Sequence, residues 1–190
     1  MKVLGICGSP RKNGNSDILL DEALKGAREA GAEVDKMTIE ELDISPCGAE
    51  EYDKVDERGL SPVRDDMQRV YDAIFECDAI ILASPIFFGS VSSQTKMMID
   101  RFQCVWVSRN VLGKEVFPRR IKGGFICVEA TERDDFIQNA RSITRHFFAT
   151  VNAEYIAEAV CKGLDAKGAV KEHPEYLAEA KLVGRKLATS

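Results

Sequence analysis

The residues best equipped for chemistry fall in two short stretches. The first, Gly8-Ser9-Pro10-Arg11-Lys12-Asn13-Gly14-Asn15-Ser16, sets hydroxyls, amides and a guanidinium between an apolar run (Val3 to Cys7) and a helical pattern. Hydroxyls, amides and a guanidinium are anion donors. A helix starting at Ser16, with Ser16 as its cap, would add unpaired N–H groups and the positive end of its dipole. The spacing narrows the anion. A triphosphate loop needs Gly-x4-Gly-Lys-Ser/Thr, but Asn15 stands where that lysine belongs, and Gly5-Ile6-Cys7-Gly8 does not complete a Gly-x-Gly-x-x-Gly fingerprint. A terminal monophosphate suits Ser9, Arg11, Asn15 and Ser16; taken alone, so does a plain polar turn with a good cap.

The second stretch, Ser84-Pro85-Ile86-Phe87-Phe88-Gly89-Ser90-Val91-Ser92, joins aromatic bulk to glycine and hydroxyls. An aromatic pair can equally be core. Beside a monophosphate site it makes better sense as the wall of a flat heteroaromatic ring. Phe87 or Phe88 would offer a face or an edge, Gly89 close backbone approach, and the N–H groups of residues 88–91 bonds to ring atoms. A ligand with one terminal phosphate and a large planar ring is FMN. A third stretch, Ala130-Thr131-Glu132-Arg133-Asp134-Asp135, could complete the site. Thr131 would bond the ring or a substrate, or else start a helix; Arg133 would meet a nicotinamide phosphate.

These stretches must be positioned by something. Val3 to Cys7, Glu33 to Ile39, Cys77 to Ala83, Ile121 to Ala130 and Ala153 to Val160 read as strands, Cys77 to Ala83 being the most continuously apolar. Helical spacing fills the intervals: Ser16 to Ala30 (stopped at Gly31), Asp65 to Phe75, 93–107, Asp134 to Ala149, and 174–188 behind Pro174. Alternating strands and helices predict one α/β domain, residues 1–190, a three-layer sandwich around a five-stranded parallel sheet of flavodoxin-like order 2-1-3-4-5. In that order the winding reverses between the first and third strands, and a ligand belongs at their carboxyl ends. The loops 8–16 and 84–92 follow those two strands. Residues 40–65 form a long polar excursion with an acidic cluster (Glu50, Glu51, Asp53, Asp56, Glu57), of a length that is usually functional.

Composition removes other classes. A net charge of −5 disfavours nucleic acid and anionic membrane surfaces, and no apolar run is long enough to span a bilayer. No signal-peptide pattern opens the chain, which predicts a cytoplasmic location. Six scattered cysteines without a Cys-x-x-Cys argue against a disulfide framework, and two distant histidines give a metal site little support. No nucleophile–base set or paired catalytic carboxylates can be picked out, so no catalytic side chain is assigned.

GSPRKNGNS and SPIFFGSVS, together with Asp65-Asp66-Met67 and Ile99-Asp100-Arg101, resemble the NAD(P)H-dependent FMN reductase and iron–sulfur flavoprotein branch of the flavodoxin-like superfamily. The resemblance implies non-covalent FMN, with Ser9, Arg11, Asn15 and Ser16 on the phosphate and Pro85, Ile86, Phe87, Phe88, Gly89 and Ser90 lining the isoalloxazine. It implies a homodimer or homotetramer with flavins near subunit contacts. The iron–sulfur members carry Cys-x2-Cys-x2-Cys-x4-7-Cys; here Cys47 is followed by Glu50 and Asp53 in the second and third places. One thiolate and two carboxylates are a poor set for a [4Fe–4S] cluster, and none is expected. Phe87 stands where relatives often carry tyrosine. The implied activity is hydride uptake from NADPH or NADH, with electrons passed through FMN to a quinone, flavin or similar small acceptor. The competing readings are an electron carrier docking with ferredoxin or another redox protein, and a flavin-free binding domain. The apolar content of helix 93–107 (Met97, Met98, Phe102, Val105, Trp106) suits a subunit contact, or a core that Trp106 completes.

Overall fold

The computed structural model describes residues 1–48 and 54–189. Five parallel strands form the sheet, in the order β2 (Glu33–Thr38), β1 (Lys2–Cys7), β3 (Ala79–Phe87), β5 (Ile121–Val128), β6 (Ala153–Cys161). This is the expected winding. The sheet also has a sixth member, the two-residue β4 (Ser90–Val91), antiparallel to the end of β3. Two residues carry no readable alternation, so 84–92 was expected as a loop. Instead β3 runs on through Pro85 to Phe87 and folds back as a hairpin.

Side-chain alternation decides which layer each strand residue enters. Leu4, Ile6, Ile80, Leu82 and Phe125 face a core shared with α2 (Met67–Glu76), α3 (Ser93–Asp100), α4 (Gln103–Asn110) and α5 (Asp134–Thr150). Val3, Cys7, Ile81 and Ile126 face α1 (Asn15–Glu29) and α6 (Pro174–Thr189). The helix α6 lies directly on α1: a Cβ on Gly184 would sit 1.8 Å from the Ala23 carbonyl oxygen. At the end of that contact Glu29 pairs with Lys181 and Arg185, whose hydrogen bonds hold its carboxyl down to about 2. Among the described residues no helix is long and apolar enough to cross a membrane.

The single helix expected over 93–107 is two helices. Its break falls at Arg101–Phe102 because the Arg101 carbonyl is taken sideways, by the Tyr71 hydroxyl (2.6 Å) and the Cys104 thiol (3.2 Å). The Val105 N–H then turns to Phe102 O at 3.0 Å, three residues back, and the α ladder is interrupted. Met98, Phe102 and Val105 are buried, whereas Trp106 is half exposed and does not complete the core.

Asp65-Asp66-Met67 and Ile99-Asp100-Arg101 meet in space. The Arg101 guanidinium is buried against the Asp65 carboxylate, and it also donates to Ser45 O (2.8 Å) and Ser61 Oγ (3.2 Å). Asp65 in turn accepts from the Ser45 and Met67 N–H groups, both at 3.0 Å. One ion pair therefore pins both ends of the 45–61 excursion to the start of α2, with Asp66 as that helix's N-terminal flank. Five of the cysteines (7, 77, 104, 127, 161) are buried. Burial pushes Cys7 up to about 11 and Cys77, Cys127 and Cys161 to about 12, so these thiols are packing groups rather than nucleophiles.

Candidate functional site

The loop after β1 and the hairpin after β3 reach the same sheet edge, and a node of hydroxyls fixes their spacing. Gly8 N donates to Ala83 O (2.8 Å), and Gly8 O accepts from Ser92 Oγ (2.5 Å). Ser92 caps α3 through the Thr95 N–H and bonds the Thr95 hydroxyl (2.9 Å), which reaches Ser84 Oγ (3.1 Å). All of these side chains are buried. Gly8 is required here because a Cβ would fall 1.8 Å from Thr95 Oγ1.

The turn itself is built by its own polar atoms. Arg11 N donates to Ser9 Oγ (3.2 Å), Gly14 N to Arg11 O (2.9 Å), and Asn13, left-handed at φ 56°, donates to Asp17 Oδ2 (2.7 Å). Burial raises the Asp17 carboxyl, but hydrogen bonds from Lys36 and Asn13 outweigh it and leave it below its ordinary value. The helix starts at Asn15, and its capping residue is Gly14, two positions before the expected Ser16, with no side-chain cap. Freed of that duty, the Ser16 hydroxyl makes no hydrogen bond to the described residues, although Ser16 is only 2 % exposed.

A narrow cleft of about 60 Å³ opens between these loops. Ser9, Arg11, Asn15 and Ser16 line one side, and Pro85, Ile86 and Phe87 the other; Val128 and Ala130 form its floor. The first-turn N–H groups of α1 also belong to this edge. Phe88, Gly89 and Ser90 stand at the hairpin tip, outside the cleft lining. A Cβ on Gly89 (φ 72°) would fall 2.9 Å from the Phe136 ring, and the Arg133 guanidinium stacks over that ring, 4.4 Å from its centroid, while pairing with Asp135 (2.7 Å).

Thr131 does not reach the cleft. Its hydroxyl donates to the buried Glu129 carboxylate, which also accepts from Arg133 N (3.2 Å). Nor does it cap α5, which begins at Asp134 behind Arg133. Asn15 lines the cleft, yet its amide is spent elsewhere: Nδ2 donates to Ala166 O (2.9 Å) and Leu164 O (3.4 Å), and Oδ1 accepts from Val170 N (3.2 Å). Those bonds bring in a further wall, not assigned from the sequence, formed by Leu164, Asp165 and Lys167. No local pattern announces it, because its partner lies about 150 residues away.

Phe88 is fully exposed and left-handed (φ 49°). That conformation costs roughly 1–2 kcal/mol for a residue with a Cβ, more than the roughly 0.4–1 kcal/mol by which glycine loosens the unfolded chain. Phe88→Gly should therefore raise the melting temperature of the flavin-free protein, read by a thermal melt, while removing an aromatic face from the cleft mouth. Strain held without packing in return marks a residue kept for what it touches outside the fold.

Glu50, Glu51 and Asp53, three of the five residues of the acidic cluster and, in Glu50 and Asp53, two of the iron–sulfur ligand places, lie outside the described residues. Cys47 is partly exposed. Among the described residues no three metal-binding side chains gather.

Residues 1–160 match the sequence profile of the family described as NADPH-dependent FMN reductase. An iron-sulfur flavoprotein of Methanocaldococcus jannaschii is 42% identical over 101 residues, which are 53% of this chain and 51% of that protein. A quinone-type NAD(P)H dehydrogenase of Archaeoglobus fulgidus is 35% identical over 105 residues, 53% of this chain and 52% of the other. The chain thus aligns with about half the length of these curated relatives. Among solved structures, an NAD(P)H:quinone oxidoreductase from Methanothermobacter marburgensis superposes with TM-score 0.73 at 18% identity, covering 100% of this chain and 96% of that one. At that identity the likeness speaks for the fold.

Proposed function

Because this chain belongs to the NADPH-dependent FMN reductase family, we propose that it is an NAD(P)H oxidoreductase working through bound FMN, with a quinone, free flavin or similar small molecule as acceptor. The observation that carries the reading is the single cleft joining a hydroxyl- and guanidinium-lined anion loop to an aromatic hairpin at the sheet's winding reversal.

The residues present fit the cofactor. Ser16 brings to the cleft a hydroxyl that makes no hydrogen bond to the described residues, Ser9 a second hydroxyl, and Arg11 the charge a phosphate needs. The cleft between the two loops would take the phosphate and its polyol tail. The ring would rest against Pro85, Ile86 and Phe87, with Phe88, Gly89 and Ser90 at its rim. Bound there, FMN would supply hydride acceptance from NADH or NADPH and delivery to the acceptor. The protein's part is to fix the tail, present one ring face and leave the other open to nicotinamide and acceptor in turn. Cys47 is the one cysteine among the cluster places, so this reading includes no iron–sulfur cluster. Half-exposed Trp106 with exposed Val111 and Leu112 at the end of α4 gives a second copy an apolar surface, in keeping with a homo-oligomer.

Two measurements test the reading. The purified protein, with FMN added, should retain flavin absorbance through gel filtration. It should then oxidise NADH or NADPH faster when menadione or free FMN is present. A protein that keeps FMN but oxidises neither nucleotide would leave the enzyme assignment without support and favour the electron carrier.

A further inference from the structure

We infer that residues 162–168 form a latched strap closing the phosphate end of the cleft, with Lys167 as a second phosphate cation, so that the site accepts a terminal monophosphate and refuses a diphosphate. The inference rests on the flavin reading above and adds what the loop after β1 does not supply.

The segment lies beyond residue 160, where the family match ends. It is nevertheless tied to the site at several points. The Asn15 amide holds Leu164, Ala166 and Val170 through the three bonds already described, Leu164 N donates to Glu129 O (3.1 Å), and the Tyr176 hydroxyl bonds the Lys162 backbone (3.3 Å). Arg11 reaches across to Asp165 O at 3.4 Å, linking the strap to the anion loop. The strap is flanked by Gly163 (φ 71°) and Gly168 (φ 79°), and nothing lies within 4 Å of where either Cβ would be. Glycine is therefore demanded there by the bend of the backbone and not by packing.

Charge and space then set the selectivity. Arg11 and Lys167 line the cleft with Asp165, a net positive rim suited to one dianion. A second phosphate would have to pass the strap and the Asp165 carboxylate. Asn15, its donors and acceptor all engaged, is a positioning residue that holds the strap in place and not a phosphate ligand.

The test is equilibrium binding of FMN, riboflavin and FAD, followed by flavin fluorescence, to the full chain and to two variants. Lys167→Gln, at an exposed position, should weaken FMN about tenfold or more and leave riboflavin unchanged. The unmodified protein should bind FAD far more weakly than FMN. Asn15→Ala should narrow that gap and expose the 162–168 segment to protease. Equal affinity for FMN and FAD, or a Lys167→Gln variant that holds FMN as before or loses riboflavin in proportion, would overturn the strap while leaving the flavin reading intact. A full chain that binds neither FMN nor riboflavin would remove both.

Discussion

Arg101→Met is expected to lower folding stability by about 3–5 kcal/mol, the usual consequence of leaving one half of a buried ion pair behind. The guanidinium is 2 % exposed and the Asp65 side chain 7 %. Removing the cation strands the carboxylate, and the carbonyl of Ser45 and the hydroxyl of Ser61 lose their donor at the same stroke. The Ser45 and Met67 N–H groups still reach Asp65, which places the loss toward the lower end of that range. Arg101→Lys should recover only part, since an ammonium cannot serve three acceptors in a planar fork. Urea denaturation measures the loss; less than about 1 kcal/mol, the worth of an exposed pair, would mean that water reaches the site. The pH dependence supplies an independent sign. Burial raises the Asp65 carboxyl, but the hydrogen bonds from Arg101, Ser45 and Met67 outweigh it and hold it below its ordinary value. A carboxyl lowered on folding stabilises above its unfolded pKa of about 4 and loses that contribution as pH falls through the folded value. Without Arg101 burial should dominate and reverse the sign: the variant should regain part of its deficit in acid.

The same pair shows what sequence reading reaches and where it stops. Asp65-Asp66-Met67 and Ile99-Asp100-Arg101 stand out as motifs, but Asp65 and Arg101 are 36 positions apart and nothing local says that they meet. The sheet order was legible because its strands are apolar runs with helical spacing between them, which topology rules convert into 2-1-3-4-5. The two ligand loops, picked out by their chemistry, fall where that order puts a ligand. What escaped was whatever depends on a partner that the local pattern does not announce. The helix over 93–107 breaks because a hydroxyl from α2 captures the Arg101 carbonyl. Asn15 reads as a phosphate donor until Leu164, Ala166 and Val170 occupy its amide. Thr131 reads as a ring ligand until Glu129, two residues before it, takes its hydroxyl. In each case the residue type was right for the chemistry, and the fold had already used the group.

Gly8→Ala should damage folding and function together. The added methyl would lie 1.8 Å from Thr95 Oγ1 and 3.0 Å from Thr95 Cβ. Thr95 has little room to yield: it is β-branched, fully buried in the first turn of α3, and its hydroxyl is engaged by Ser92 and Ser84. Relief must come from parting β1 from α3, which strains the bonds from Gly8 to Ala83 and Ser92. Overpacking of a tight site costs about 1–3 kcal/mol, and the backbone contacts place this substitution at the top of that range. Ser9 follows immediately, so the displacement passes into the anion loop; a shift of about 1 Å in a positioned group costs about 10²-fold in rate. The fall in NAD(P)H oxidation should accordingly come with weaker FMN binding. Thr95→Ala offers the control, because it removes the nearer clashing atom at the expense of one buried hydroxyl. If the clash is the cause, Gly8→Ala and Thr95→Ala combined will be less destabilising than the sum of the two, by the roughly 0.5–3 kcal/mol typical of residues in contact. Strict additivity in urea, or a Gly8→Ala protein that binds FMN as tightly as the parent, would show that the hydroxyl node does not set the spacing of the two loops.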